Sequence, residues 1–325
     1  MNLALDDTQT QIAETSREFL SAELPVARLR ELGAKPDQPA IDDQTWRRVA
    51  DLGWFGLAVP EDDGGLGLGL PEETVLAIEL GRHLAPGPFR STIVGAWLAS
   101  QAGDHDLVAA LVGGERRVGF VVENLAVDTR KDDLVLVVDA EGAKLCGVNE
   151  LTPVEAVDPG VRLARISIGE PVVTVPGSMP LARVRVLAAA ELLGITEAVR
   201  DTSASYARTR IQFDKPIGTF QAVKHRCADM AVAAYATRAQ TAQAAVYVEG
   251  GHPDADFHAA AAYVLAVRGA AVSTADNIQN HGGIGFTWEH DCHLFLKRAH
   301  LLEQLLGAES GSREALLEPD HHEFR

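Results

Sequence analysis

Residues 205–230 read SYARTRIQFDKPIGTFQAVKHRCADM, and the fold turns on how that stretch divides. Arg210, Ile211, Gln212 and Phe213 form an Arg-aromatic turn. Pro216 disfavours helix at the residue before it and lacks a backbone donor, so 214–218 is a connection. Thr219 is a good N-cap, and Phe220, Val223, Cys227, Met230 and Ala234 follow at alternating steps of three and four. That is one apolar stripe on a helix, with Lys224, His225, Arg226 and Asp229 on its other faces. A guanidinium and an aromatic ring on a short turn between two helices can clamp a phosphate and a flat heterocycle. The plain alternative is a connecting loop whose arginine pairs with an acid.

Outward from this stretch, the chain has 325 residues, enough for a sizeable core in one or two domains. A 46% hydrophobic and 23% charged composition is that of an ordinary soluble protein. The net charge of −17 argues against nucleic acid, which needs concentrated Lys and Arg, but permits an anionic ligand at a local basic patch. Cys146, Cys227 and Cys292 form no CxxC pair, so disulfide scaffolding and thiolate metal sites are not expected. The N-terminus carries acids and no basic-then-apolar signal, and no apolar run is long enough to span a membrane. The expected location is the cytoplasm.

Residues 1–112 read as helical. Asp7 is placed to cap a helix through Ile12, Phe19 and Leu20, and 42–52 repeats the pattern with Trp46 and Val49 inward. The Gly-rich, acidic stretch 60–69 is a turn, and Pro71 opens another helix with Glu72 and Glu73 at its positive end. That helix turns Val75, Ile78, Leu80 and Leu84 to a core. From Gly113 the character changes: 118–122, 133–139, 161–168 and 171–175 are short β-branched runs broken by Gly, Asp and Pro. So 113–180 is a small β-domain. Helices follow at 187–206 (within 183–208), 219–249, 258–279 and 291–306, an up-and-down bundle over 181–308, before a tail, 309–325, expected to be mobile. The class is α+β, mainly α.

Three segments carry a resemblance. The 210–230 pattern RxQFxxPIGxFQxxKHxxADM, the 278–290 segment IQNHGGIGFTWEH and the 54–68 segment WFGLAVPEDDGGLGL resemble, in order and spacing, the signatures of the acyl-CoA dehydrogenases. These are flavoenzymes that make a 2,3-enoyl-CoA from an acyl-CoA, with a carboxylate removing the α-proton and FAD accepting the β-hydride. The resemblance implies an N-terminal helical domain, a middle β-domain and a C-terminal four-helix bundle. It also implies that each FAD lies across a subunit interface. Arg210, Phe213, Gln279, Gly282 and Gly283 would be the cofactor-binding arm, reaching the pyrophosphate and adenosine of a partner's FAD.

The departures are specific. The family's first strand leads into a Thr-Glu-Pro-x-Ala-Gly-Ser-Asp tract that holds the flavin ring; here 121–128 reads VVENLAVD, with only Glu123 in common. The usual glycine after Phe213 is Asp214. Counted without gaps from Gly282, the family's base position is Leu306; counted from Gly194, the alternative position is Val184. Neither is an acid, so no catalytic residue is assigned. The nearest acids are Glu303, one turn before Leu306, Glu191, two turns beyond Val184, and Glu289. His225, His281 and His290 read as structural, and no metal site is expected.

This asymmetry resembles the short β-type subunits of α2β2 actinobacterial acyl-CoA dehydrogenases that act on steroid side-chain CoA esters. The expected partners are a homologous catalytic subunit, an acyl-CoA bound mainly by that subunit, and an electron-transfer acceptor. The rival expectations are a self-sufficient homodimer with a relocated Glu base, and a non-enzymatic scaffold.

Overall fold

The computed structural model describes residues 4–33, 38–306 and 316. The expected tail lies, apart from residue 316, outside the described residues. Helix α1 (Asp7–Glu23) starts one residue from the expected cap: Asp6 is the N-cap, its carboxylate accepting from the Gln9 amide at 2.8 Å. After α2 (Arg28–Gly33), Asp42 caps α3 (Asp43–Asp51) through the Thr45 amide, also at 2.8 Å. The Trp46 ring is buried against Phe55 and Phe89, at centroid distances of 4.4 and 5.3 Å.

Helix α4 (Leu70–Arg82) uses its two N-terminal glutamates differently. Glu72 accepts from the Gly69 amide at 2.9 Å, as a first-turn acid should. Glu73 instead turns inward and accepts from Arg183 at 2.5 Å, both side chains being buried. The open Leu70 amide is taken by Glu249, from the far end of the chain, at 2.7 Å. Helices α5 (Phe89–Gln101) and α6 (His105–Val112) complete the first block.

Five strands then close a small barrel in the order β1-β2-β5-β4-β3, with β1 parallel to β3 and every other pair antiparallel. They are β1 (Val118–Val122), β2 (Leu125–Val127), β3 (Leu134–Val138), β4 (Gly142–Val154) and β5 (Leu163–Pro176). The runs 161–168 and 171–175 are one strand, carried past Gly169 by irregular pairing with β4. Strands β2 and β4 are absent from the sequence reading. β2 has three residues, and β4 is half solvated, alternating only over Ala143, Lys144 and Leu145 before Gly147, Asn149, Glu150 and Pro153 break the pattern.

The C-terminal bundle holds α7 (Met179–Thr209), α8 (Gln221–Glu249), α9 (Ala255–His281) and α10 (Cys292–Gln304). Thr219 does not cap α8. It sits in a 3-10 turn with its hydroxyl donating to the Pro216 carbonyl, and Phe220 takes the N-cap position without a side-chain cap. Met230 and Ala234 of the expected stripe are buried, while Val223 and Cys227 are only half-buried. The bundle also leaves Val232 and Tyr235 of α8 and Val272 of α9 exposed.

Helices α4 and α7 touch backbone to backbone. A Cβ on Gly194 would lie 2.0 Å from the Ile78 carbonyl oxygen, and one on Gly81 would lie 1.9 Å from that of Glu191. Gly194→Ala is therefore expected to force the helices apart and lose about 3 kcal/mol or more, read as a lowered urea midpoint. An unchanged midpoint would show that the crossing is not tight. Burial raises the Glu73 carboxyl from 4.5 to about 7, against the pull of Arg183. A raised native pKa means that the native state holds the proton longer, so this contribution is full below 4.5 and lost as pH rises through about 7. Wild type should thus fall in stability relative to Glu73→Gln across that window; parallel curves would refute the assignment.

Candidate cofactor arm and the family base positions

At the C-terminal end of α7 the chain makes a hairpin of two short strands, β6 (Ile211–Gln212) and β7 (Lys215–Pro216). Its tip is Phe213 and Asp214, both left-handed at φ 53° and 62°. Aspartate tolerates that region better than most residues with a Cβ, which explains how it stands where the family has glycine. The Phe213 ring is 84% exposed and meets the edge of Phe220 at 6.0 Å, while the Lys215 ammonium lies 4.6 Å from the Phe220 ring centre. Arg210 is the C-cap of α7 and is exposed. Among the described residues, no acid pairs with its guanidinium.

The second half of the arm ends α9. Gln279 is exposed, and Gly282 takes φ 64° and ψ −143°, a backbone region open only to glycine. Around Gly282 and Gly283 an added Cβ would meet nothing within 4 Å, so the space beside them faces outward. The two halves are joined underneath. Tyr206 of α7 stacks on His281 of α9 at 4.2 Å, and the Ser203 hydroxyl donates to the Asn277 carboxamide at 2.7 Å. Arg210, Phe213, Gln279, Gly282 and Gly283 thus emerge from two helix ends tied together. Phe286, 75% exposed, and the partly exposed Ile284 and Trp288 follow on the segment after Gly283.

The flavin-ring tract is replaced by a tight turn. Val122 pairs with Leu125, so β1 reverses through Glu123 and Asn124 alone, Glu123 being left-handed at φ 54°. Glu123 is exposed at this tip. A two-residue reversal leaves no loop of backbone amides to line a ring, and the residues present do not fit that half of a flavin site.

Both family base positions are apolar in their surroundings as well as their side chains. Val184 is fully buried, and Leu306, next to the α10 C-cap Leu305, packs on the core. The Tyr263 hydroxyl lies 2.9 Å from the carbonyls of both Leu302 and Glu303, fixing the end of α10. Beside Leu305 a cavity of about 60 Å³ is lined by Arg90, Phe120, Asp128, Glu191 and Arg298. Glu191 accepts from Arg90 at 2.8 Å, and burial pushes its carboxyl above the usual range. Arg298 donates to Asp158 at 2.5 Å. Burial likewise raises Asp128, to about 6. Glu303 pairs with His300 at 3.2 Å, and the exposed Glu289 is held below its usual range by the Thr287 hydroxyl. Of the three candidate acids, Glu191 is the one that lines this cavity. Sequence reasoning missed Arg90, Asp128 and Arg298 because their partners lie far away along the chain.

With this geometry in place, comparison with known proteins is direct. Residues 6–110 match the family description "Acyl-CoA dehydrogenase, N-terminal domain" and residues 175–318 match "Acyl-CoA dehydrogenase, C-terminal domain". The chain belongs to the acyl-CoA dehydrogenase family. It is 36% identical over 272 residues to acyl-CoA dehydrogenase IpdE2 of Mycobacterium tuberculosis, covering 82% of this chain and 83% of that one. It is also 36% identical over 292 residues to acyl-CoA dehydrogenase FadE34 of the same organism, of which the match spans 40%. Among solved structures, the ChsE4-ChsE5 complex from Mycobacterium tuberculosis is similar at TM-score 0.81 and 26% identity, covering 98% of this chain and 100% of that one. The Tcur3481-Tcur3483 steroid acyl-CoA dehydrogenase is similar at TM-score 0.81 and 25% identity, covering 95% and 96%.

Proposed function

We propose that this chain is the non-catalytic subunit of a heteromeric, FAD-dependent acyl-CoA dehydrogenase, and that it completes a partner's FAD site. The observation that carries the reading is an asymmetry within one molecule. An exposed Arg210 with no partner among the described residues stands beside an open glycine segment, while the flavin-ring tract is a two-residue turn and the base positions are leucine and valine. Similarity to structures described as a two-component complex and as a steroid acyl-CoA dehydrogenase supports a homologous partner and a steroid-type acyl-CoA substrate. No described helix is long and apolar enough to cross a membrane, in keeping with a cytoplasmic enzyme. The three units 1–112, 113–180 and 181–308 follow the changes from helices to barrel to bundle.

In this assembly FAD supplies the hydride acceptor, and an electron-transfer acceptor reoxidises it. The residues of this chain bind and orient. Arg210 sets a fixed cation against the pyrophosphate, Gln279 offers an amide, Gly282 and Gly283 allow close backbone approach, and Phe213 covers the adenosine end. The partner supplies the base and most of the acyl-CoA contacts. A homodimer using Glu191 is the one rival with a specific observation behind it, because Glu191 lines the cavity beside Leu305. Its carboxylate is already held by Arg90, and its subunit has no flavin-ring tract.

Co-expression with the right homologue should give a yellow α2β2 complex with about one FAD per αβ pair, whereas the chain alone should be flavin-poor. A full flavin in every subunit would sink the proposal. Arg210→Ala should lower FAD affinity at least about tenfold, since a charged contact to pyrophosphate contributes about 1.5–3 kcal/mol, and Gln279→Ala should act more weakly. Unchanged flavin content in both would remove the arm assignment. Glu191→Gln, Glu303→Gln and Glu289→Gln should each leave turnover of the assembled complex within a few-fold. Loss of a true base would instead lower it about 10²–10⁴-fold.

A further inference from the structure

Beneath the cofactor arm lies a cluster that the proposed function does not use. His281 ends α9, His290 lies in the following loop, and Cys292 opens α10. One donor atom from each falls within 4.8 Å of the other two. His281 and Cys292 are buried and His290 is half-buried, so the cluster has an inner wall and one side toward solvent.

We propose that His281, His290 and Cys292 form a binding site for a single borderline divalent cation of the zinc class. The strongest support is that one buried residue, Asn277, orients two of the three donors. Its backbone carbonyl lies 2.8 Å from His281 Nδ1. A carbonyl can only accept, so Nδ1 carries the proton and Nε2 keeps a free lone pair. The Asn277 side-chain amide donates to Cys292 Sγ at 3.2 Å. Its rotation is set in turn by the Ser203 hydroxyl, which donates to Asn277 Oδ1 at 2.7 Å. Carbonyl bonds that fix an imidazole tautomer, with amide bonds that aim at a ligand sulfur, are the supports that metal ligands use. The Tyr206 ring, stacked on His281 at 4.2 Å, closes the remaining freedom of that imidazole.

His290 completes the set. Its Nδ1 receives the Cys292 backbone N–H at 3.3 Å, a long contact whose lone pair is easily redirected to a cation. Two imidazole nitrogens and a thiolate suit zinc in tetrahedral geometry, with metal–donor distances of about 2.0–2.3 Å and water in the fourth position. Binding replaces the Cys292 thiol proton, which leaves to solvent, and draws the three donors together by about an ångström. The spacing of 281, 290 and 292 matches no short metal motif, so no residue pattern announces the site. The cation would pin the end of α9 to the start of α10, directly under Gly282 and Gly283. The site depends only on this chain's geometry and not on the proposed subunit role.

The test is a titration of the full-length chain, stripped with a chelator, with Co²⁺ as the spectroscopic probe. One equivalent should bind, with a thiolate-to-cobalt charge-transfer band and tetrahedral d–d intensity, and Zn²⁺ should displace it. Cys292→Ser should abolish the charge-transfer band, and Cys227→Ser should leave it intact. Because His290 is half-buried, His290→Gln should fold normally by circular dichroism yet bind Co²⁺ at least about tenfold more weakly. Absence of saturable binding in wild type would overturn the site. So would a band that persists in Cys292→Ser, or an affinity unmoved in folded His290→Gln.

Discussion

Backbone contact between α4 and α7 is the constraint on which the other placements rest. Gly81 and Gly194 face each other's helix at distances that exclude even a methyl group. Ion pairs flank the crossing on both sides. Arg183 holds Glu73 before it, and Glu197 holds Arg82 at 2.6 Å after it, with Arg238 of α8 on the same carboxylate. A helix slipped by one turn would leave several of these groups buried without partners, which is strongly unfavourable. Glycines permit the approach and the charges fix its register. Just beyond that crossing, Arg90 in the first turn of α5 reaches Glu191 of α7.

That arrangement also sets four charged side chains, Arg90, Asp128, Glu191 and Arg298, among the mostly apolar lining of the cavity beside Leu305. Here Arg90 and Glu191 neutralise one another from opposite walls, and Arg298 is anchored to Asp158 on the barrel side. Once ordered in pairs, these side chains tie the two helical blocks and the barrel to one another.

Legibility in the sequence followed the range of the interactions. Strand β1 and helices α8 and α9 were placed within a few residues because periodicity and flanking Gly or Pro are local signals. The β4 strand was not, because its partners β3 and β5 supply its order while its own residues alternate only over Ala143, Lys144 and Leu145. Thr219 is a good cap by composition, but Pro216 and Gly218 tighten the chain into a 3-10 turn that moves the helix start past it. The resemblance singled out the five residues proposed for the arm and put Leu306 and Val184 at the expected base positions. The Arg90–Glu191 and Arg298–Asp158 pairs were not legible, being separated by 101 and 140 residues. The cluster under the arm was equally hidden, since Asn277 does its orienting through one backbone and one side-chain group that no pattern of residue types reports.

The left-handed tip of the β6–β7 hairpin sets how often the arm is ready. For a residue with a Cβ that region lies about 1–2 kcal/mol above the right-handed basin. Phe213 and Asp214 occupy it in succession, held within the chain by a four-residue ladder and the edge of Phe220. Each 1.4 kcal/mol of strain is about a tenfold change in population, so relaxed conformers of the tip compete with the one that presents the ring. Apparent affinity falls by the fraction of molecules that are out of position. For the proposed arm, any surface that traps Phe213 would therefore raise the fraction of competent molecules as it binds, and would make docking and cofactor capture mutually reinforcing.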